Sequence, residues 1–393
     1  MLMALVLAAA ACQEQLTAPA DCPTACPGGK ATIVDTVLLP VFGLDSTYSG
    51  YVPALNGGSA LVTTGLAPVI DARAVFRFSG IPDSFSLANI RRGYTIDSVR
   101  VAFSVLERDT AATNLSLRLY RLPANTDTSV TFTAAVAAET AIPAVVIPLL
   151  DTLRGGVASV VLTGAALTRV AIPSADSGNI AFAVALGSSV GTGVRLQTSA
   201  AVGTQTAITR FISLLGLTGA DTVNRKQVLT GEQSLGRYVI APRPSAPPGA
   251  LVVGGEPSSR AILRFVLPRV IKDSAALVRA TLELVPVETV TGVPNLPTTL
   301  LIRSVLTDLG AKSPLESGFN QQPIRIGTSD TIRIEIGRIV NTWQGPTGRT
   351  QTIFLQTSPE GASWSRFAFG STGGIAPPRL RITYIKSFPF EAP

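Results

Sequence analysis

Histidine is absent from the 393 residues, which removes imidazole-based dyads and triads and most zinc sites from consideration. Carboxylates are left for acid–base chemistry. Glycoside cleavage needs a pair of them about 5 Å or about 6.5–9.5 Å apart across a cleft. Asp308 and Glu316, in a loop rich in Lys, Pro and Gly, and Asp83 and Asp97, which flank strands, read instead as solvated loop charge. Tyr48, Tyr51, Tyr94, Tyr120, Tyr238 and Tyr384 are scattered with no spacing that groups them for lyase chemistry. Neither a nucleophile elbow nor an EF-hand loop occurs. Recognition chemistry remains, carried by aromatic rings and guanidinium groups. Of the 2 Trp, Trp343 follows an alternating apolar run and reads as a core plug. Trp364, in the loop Gly361-Ala362-Ser363-Trp364, is the candidate exposed ring for stacking on a sugar. Arg366 beside it and Arg303 in Leu301-Ile302-Arg303 complete the expected ligand-binding set, since guanidinium pairs with acidic groups in a bidentate fashion.

The elements that must position these residues are strands. Arg260-Ala261-Ile262-Leu263-Arg264-Phe265 is a near copy of Arg73-Ala74-Val75-Phe76-Arg77-Phe78. Strict alternation puts Ala74, Phe76 and Phe78, and likewise Ala261, Leu263 and Phe265, on one face. One apolar face and one arginine face suit an antiparallel sandwich, because a strand of a parallel sheet is apolar on both sides. Arg77 and Arg264 are expected to pair with carboxylates across the sheet. Each copy is followed by a Pro in the next loop, Pro82 or Pro268, then a long alternating strand, then a strand with a central arginine. The period of about 185 residues is far too long for a solenoid and predicts duplication of a whole sandwich. The expectation is an all-β chain of two tandem antiparallel sandwich domains over residues 31–215 and 227–386, joined near Gly216–Lys226. A strand is expected at Ser129–Phe132, and a loop or edge strand over the core at Ala134–Leu150.

Hydrophobic residues at 46%, charged residues at 15%, 35 Gly and 28 Pro suit short strands separated by turns. The formal charge of +7 comes from 32 Lys and Arg spread singly along the chain. That pattern excludes a dense nucleic-acid groove and favours acidic partners at low salt. The apolar run Met1–Ala11 ends in Ala9-Ala10-Ala11-Cys12 and resembles a bacterial lipoprotein signal peptide with its lipobox, although no Lys or Arg occurs before Lys30. The resemblance implies cleavage after residue 11, lipidation of Cys12 and anchoring at the bacterial outer membrane or cell surface. Residues 12–30 are polar and Pro-rich and read as a tether. Within it Cys22 and Cys26 are expected to form a local disulfide in an oxidising envelope.

The second half is similar to the disaggregatase-related DNRLRE domains, jelly-roll sandwiches akin to carbohydrate-binding modules. The residues that carry this are Arg260–Phe265, Ile332–Ile336, Ile339-Val340-Asn341-Thr342-Trp343-Gln344-Gly345, Ile353–Leu355, Trp364–Phe367 and Pro377–Tyr384. The first half shares Arg73–Phe78, and Thr128–Phe132 looks like the family's segment with Phe in place of Trp, but it lacks the closing Pro-Pro-Arg-Leu strand. The resemblance implies a noncatalytic domain displayed outside the cytoplasm. Its expected partner is polysaccharide, including acidic polysaccharide, or other envelope proteins, with no cofactor beyond a structural Ca²⁺ held by loop carbonyls and carboxylates.

Overall fold

The computed structural model describes residues 33–51, 58–67, 69–198, 206–296, 298–345, 349–360 and 364–386. Cys12, Cys22 and Cys26, with the signal segment and the tether, lie outside the described residues. The fold is an all-β sandwich architecture built from antiparallel sheets around two large apolar clusters. The two related strands appear as Ala72–Ser79 and Ser258–Arg264. Ala74, Phe76 and Phe78 point into the first cluster, and Ala261, Leu263 and Phe265 into the second, as their alternation requires.

Around the first cluster runs a 10-stranded sheet. Its order is Ser59–Thr64, Thr192–Gln197, Tyr94–Arg108, Ala207–Leu214, Lys226–Ile240, Ala72–Ser79, Ile180–Gly187, Ser116–Leu122 and Val145–Pro148, with Gly156–Leu162 added to Tyr94–Arg108. The sheet folds over into two layers because Lys226–Ile240 serves both. Residues Lys226–Gly231 pair with Ala207–Leu214, whereas Glu232–Ile240 pair with Ala72–Ser79. The strand bends at a bulge between Gln233 and Leu235. A Cβ at neighbouring Gly236 would sit 2.9 Å from the Thr198 carbonyl oxygen, so only glycine fits beside the bend. Phe103 from one layer meets Phe76 from the other edge to face at 4.9 Å.

The second cluster lies between a 4-stranded and a 7-stranded sheet. The small sheet runs Ile33–Leu38, Arg379–Lys386, Ala275–Leu284, Ile332–Glu335. The large one runs Asn320–Ile324, Thr298–Ser304, Thr352–Ser358, Ser258–Arg264, Leu251–Gly254, Arg366–Phe369, with Ser46–Tyr51 on the free side of Ser258–Arg264. Each related strand heads the same series. Ala72–Ser79 is followed across its layer by Ile180–Gly187, Ser116–Leu122 and Val145–Pro148; Ser258–Arg264 is followed by Thr352–Ser358, Thr298–Ser304 and Asn320–Ile324.

The strand pairing divides the chain differently from the sequence expectation. Lys226–Ile240, assigned from sequence to the second half, completes the first sandwich. Ile33–Leu38 and Ser46–Tyr51, assigned to the first half, complete the second by pairing with Arg379–Lys386 and Ser258–Arg264. In both sandwiches this element links the last strand of one layer to the arginine strand of the other. The two sequence repeats have exchanged their first elements, and alternation within a strand carries no information about which copy it joins.

Ser129–Phe132 is not a strand. Asp127 Oδ1 accepts from the Ser129 amide at 2.8 Å, and the Thr131 hydroxyl accepts from the Ala134 amide, capping a helix at Phe132–Ala137. This helix covers Val75 on the outer face of the sheet, and the rest of the 134–150 segment includes an edge strand at Val145–Pro148.

Candidate binding groove at the junction of the sandwiches

The arginines of the related strands are consumed by structure. Arg260 holds Glu360 through Nε and Nη2, both at 2.6 Å, and its guanidinium lies 3.9 Å from the centre of the Tyr51 ring. Arg264 grips Asp308 through the same two nitrogens, which keeps the Asp308 carboxyl below the usual carboxylate range. Arg73 pairs with Asp71 and Glu139. Arg77 departs from expectation: it donates to the Ser234 hydroxyl at 3.0 Å and the Thr126 carbonyl at 3.0 Å, and its charge reaches the Asp127 carboxylate without a contact salt bridge.

The structure also disperses the predicted ligand set. Trp364 is 1% exposed and cannot serve as a stacking platform. It packs with Leu61, Ile70, Ala72 and Val293, lies edge to face with Tyr238 at 5.5 Å, and has the Arg195 guanidinium 5.7 Å from its ring centre. Trp364 itself is seated against residues of the first sandwich, a placement its sequence context does not disclose. Arg366 next to it is bound to Glu288 at 2.8 Å and to the Pro244 carbonyl at 2.6 Å. Arg303 stands over Phe319, 5.6 Å from the ring centre. Its strand is four places from that of Arg366 in the sheet, about 19 Å at ~4.8 Å per strand. Trp343, by contrast, is fully buried and stacks on Phe265 at 6.2 Å, as a core plug should.

What the fold gathers instead is a groove of about 690 Å³ on the outer face of Lys226–Ile240, reaching Glu256 and Pro257 of the second sandwich. Phe132 and Tyr238 supply rings, Ser59, Thr128 and Thr198 hydroxyls, and Arg237 and Glu256 charge. Arg237 donates through Nη1 to the Thr128 carbonyl, which ties the helix loop to the strand. Burial pushes the Glu256 carboxyl up to about 7, although the Tyr238 hydroxyl bonds to it and Arg243 attracts it. Burial, then the Glu256 charge, pushes the Tyr238 phenol upward as well. Arg243 is brought down to about 10 by burial and by the like charge of Arg366, while its Nη2 donates to the Trp364 carbonyl at 2.7 Å. Nothing in their sequence spacing groups Phe132, Tyr238 and Glu256; the exchanged strand brings them together.

The sign of the Glu256 shift sets a pH dependence. A carboxyl whose folded value lies above its unfolded value of about 4.5 favours folding below that value, and this contribution is lost as pH rises through about 7. Glu256→Gln should therefore flatten the decline in stability between about pH 4.5 and 7 and make the variant the more stable protein above that range. Urea unfolding midpoints measured from pH 4 to 8.5 would show the two curves converging at the acid end.

Among the described residues, no group of three or more His, Cys, Asp or Glu gathers as a metal site, and no helix is long and apolar enough to cross a membrane. No family model and no curated protein matches the chain. Solved structures resemble it only faintly. A structure of the infectious bursal disease virus Gx strain aligns at 14% identity over 92% of this chain and 78% of that one, with a TM-score of 0.15. The C-terminal domain of the Streptococcus pyogenes antigen I/II-family protein AspA aligns at 9% identity over 86% and 92%, with a TM-score of 0.16. Likenesses of this size assign neither fold nor function, so the chemistry of the groove is the ground for a functional conclusion.

Proposed function

We propose that this chain is a noncatalytic binding protein of the bacterial envelope, anchored through a lipidated Cys12, whose groove between the sandwiches receives a segment of extracellular or cell-wall polysaccharide. The observation that carries this is the juxtaposition of the Phe132 and Tyr238 rings with hydroxyls, Arg237 and Glu256 in one open depression. Rings contribute stacking on the apolar face of a sugar, and the polar groups address its hydroxyl and carboxylate edges. The resemblance of the second half to DNRLRE-type jelly rolls supports the same class. A groove lined by one carboxyl that is neutral below about pH 7 and one arginine suits neutral or acidic polymers better than basic ones.

A second reading, a structural or adhesive protein that contacts other envelope proteins and holds no small ligand, is favoured by the burial of both tryptophans, which leaves the sugar face without its strongest stacking group. A glycan array probed with the lipid-free chain separates the two. Binding to a polymer class that falls at least about tenfold in Phe132→Ala and Arg237→Gln is expected. Absence of binding to any polymer at millimolar concentrations of sites would transfer the assignment to the second reading.

A further inference from the structure

Arg210 lies on Ala207–Leu214 with Ile208 and Ile212 on its inward side, and is itself only 5% exposed. Its Nε and Nη2 make no hydrogen bond, and its Nη1 reaches the Tyr94 hydroxyl at a long 3.4 Å. Among the described residues it has no ion pair. Arg260 and Arg264 present the same Nε and Nη2 edge, and in each that edge is closed by a carboxylate. A buried guanidinium without a counter-charge is strongly disfavoured unless something anionic completes it.

Arg210 forms part of the wall of a cleft of about 460 Å³ at one end of the first sandwich, together with Ile81, Ile172, Ser174 and Ser177. The charged groups that face it do not neutralise it. Asp83, on the rim, is exposed and lies 3.4 Å from Arg91. Asp176 lies 3.9 Å from Arg121. Arg121 itself adds positive charge, and its own proton is loosened first by burial and further by the nearby Arg210.

We infer that this cleft is a binding site for a small oxyanion, a carboxylate or sulfate group, held by the Arg210 guanidinium in its wall with Ser174 and Ser177 at its border. The inference is independent of the groove beside Tyr238, which lies against a different set of residues.

The test is thermal unfolding of the lipid-free chain in sulfate or glucuronate, each against chloride at matched ionic strength. The expected result is a saturable rise in Tm of about 3 °C, set apart from the non-saturating effect of sulfate on any protein. In Arg210→Met the saturable part should vanish, while Arg91→Gln at the rim should keep it. Since the methionine removes a buried charge, this variant should also unfold no earlier than the parent in chloride. Arg210→Lys, which keeps the charge and loses the paired donors, should bind at least about tenfold more weakly and serves if the methionine variant does not fold. A response larger for glucuronate marks a sugar acid as the source of the group, and one equal or larger for sulfate marks an inorganic ion. A response that is absent for both anions, or the same in Arg210→Met, overturns the site.

Discussion

A chain that begins after residue 51 should keep its first sandwich and lose its second. Ile33–Leu38 forms one edge of the small sheet through six paired positions from Ile33↔Ile385 to Leu38↔Leu380. Ser46–Tyr51 covers Ser258–Arg264, with Tyr48 packed near Phe354. The segment between them is also fastened: the Val41 amide donates to the Arg264 carbonyl at 2.7 Å, and Asp45 accepts from the Thr372 amide at 2.8 Å. Removing all of this bares two strand edges and part of the apolar cluster touched by Val34 and Leu38. The loss is on the order of the whole stability of an ordinary domain, about 5–15 kcal/mol. Hydrogen exchange should show protection gone from Ser258–Arg264 and Arg379–Lys386 and retained in Ala72–Ser79 and Ile180–Gly187. By the same logic a fragment of residues 58–240 should fold alone, and one of 227–386 should fold only when residues 33–51 are supplied. Folding of 227–386 unaided would refute the exchange.

This contrast marks how far the sequence could be read. Strand identity was legible wherever alternation was strict, as in Ile332–Glu335 and Arg379–Lys386, because period-two burial writes itself into residue type. The likeness of the two arginine strands was legible too, since both keep the same residue pattern. Pairing between copies was not. Lys226–Ile240 carries apolar residues at Val228, Leu229, Leu235, Tyr238, Val239 and Ile240 but is broken by polar and glycine positions, and either sandwich would satisfy that pattern. The binding groove was hidden for the same reason, as its walls come from segments distant in sequence. Trp364 was misread because an aromatic in a Gly- and Ser-rich loop looks exposed until the surface the loop rests on is known.

Trp364→Ala should therefore act on stability before it acts on any ligand. The side chain fills the contact among Leu61, Ile70, Ala72 and Val293, residues drawn from both sandwiches, and removal of a buried tryptophan costs about 3–5 kcal/mol. Its backbone sits at φ +51, a left-handed conformation that a bulky residue holds only when packing enforces it. Relief of that strain offsets part of the loss in Trp364→Gly, which should be the milder of two damaging changes if the cavity collapses. Chemical unfolding should show the two sandwiches melting together in the parent and apart in Trp364→Ala. The remaining polar links, among them Asn295 Nδ2 donating to Asp109 Oδ1 at 3.0 Å and the Tyr238 hydroxyl bonded to Glu256, are too small to keep them coupled. An unchanged single transition would show that the tryptophan is a passenger.

The exchange of first elements also has a consequence for the order in which the protein is made. Ile33–Tyr51 is synthesised long before its partners at Ser258–Ile262 and Leu380–Ile385. At about 5–20 residues per second, Ile33 must wait roughly 20–70 s for Ile385 to be synthesised. During that interval its edge-forming strands have no mate of their own, while the first sandwich cannot close until Lys226–Ile240 has followed. The first sandwich can close once Ile240 has emerged, whereas the second waits for its last strand, and holdase capture of the early strands at this stage would be the natural safeguard.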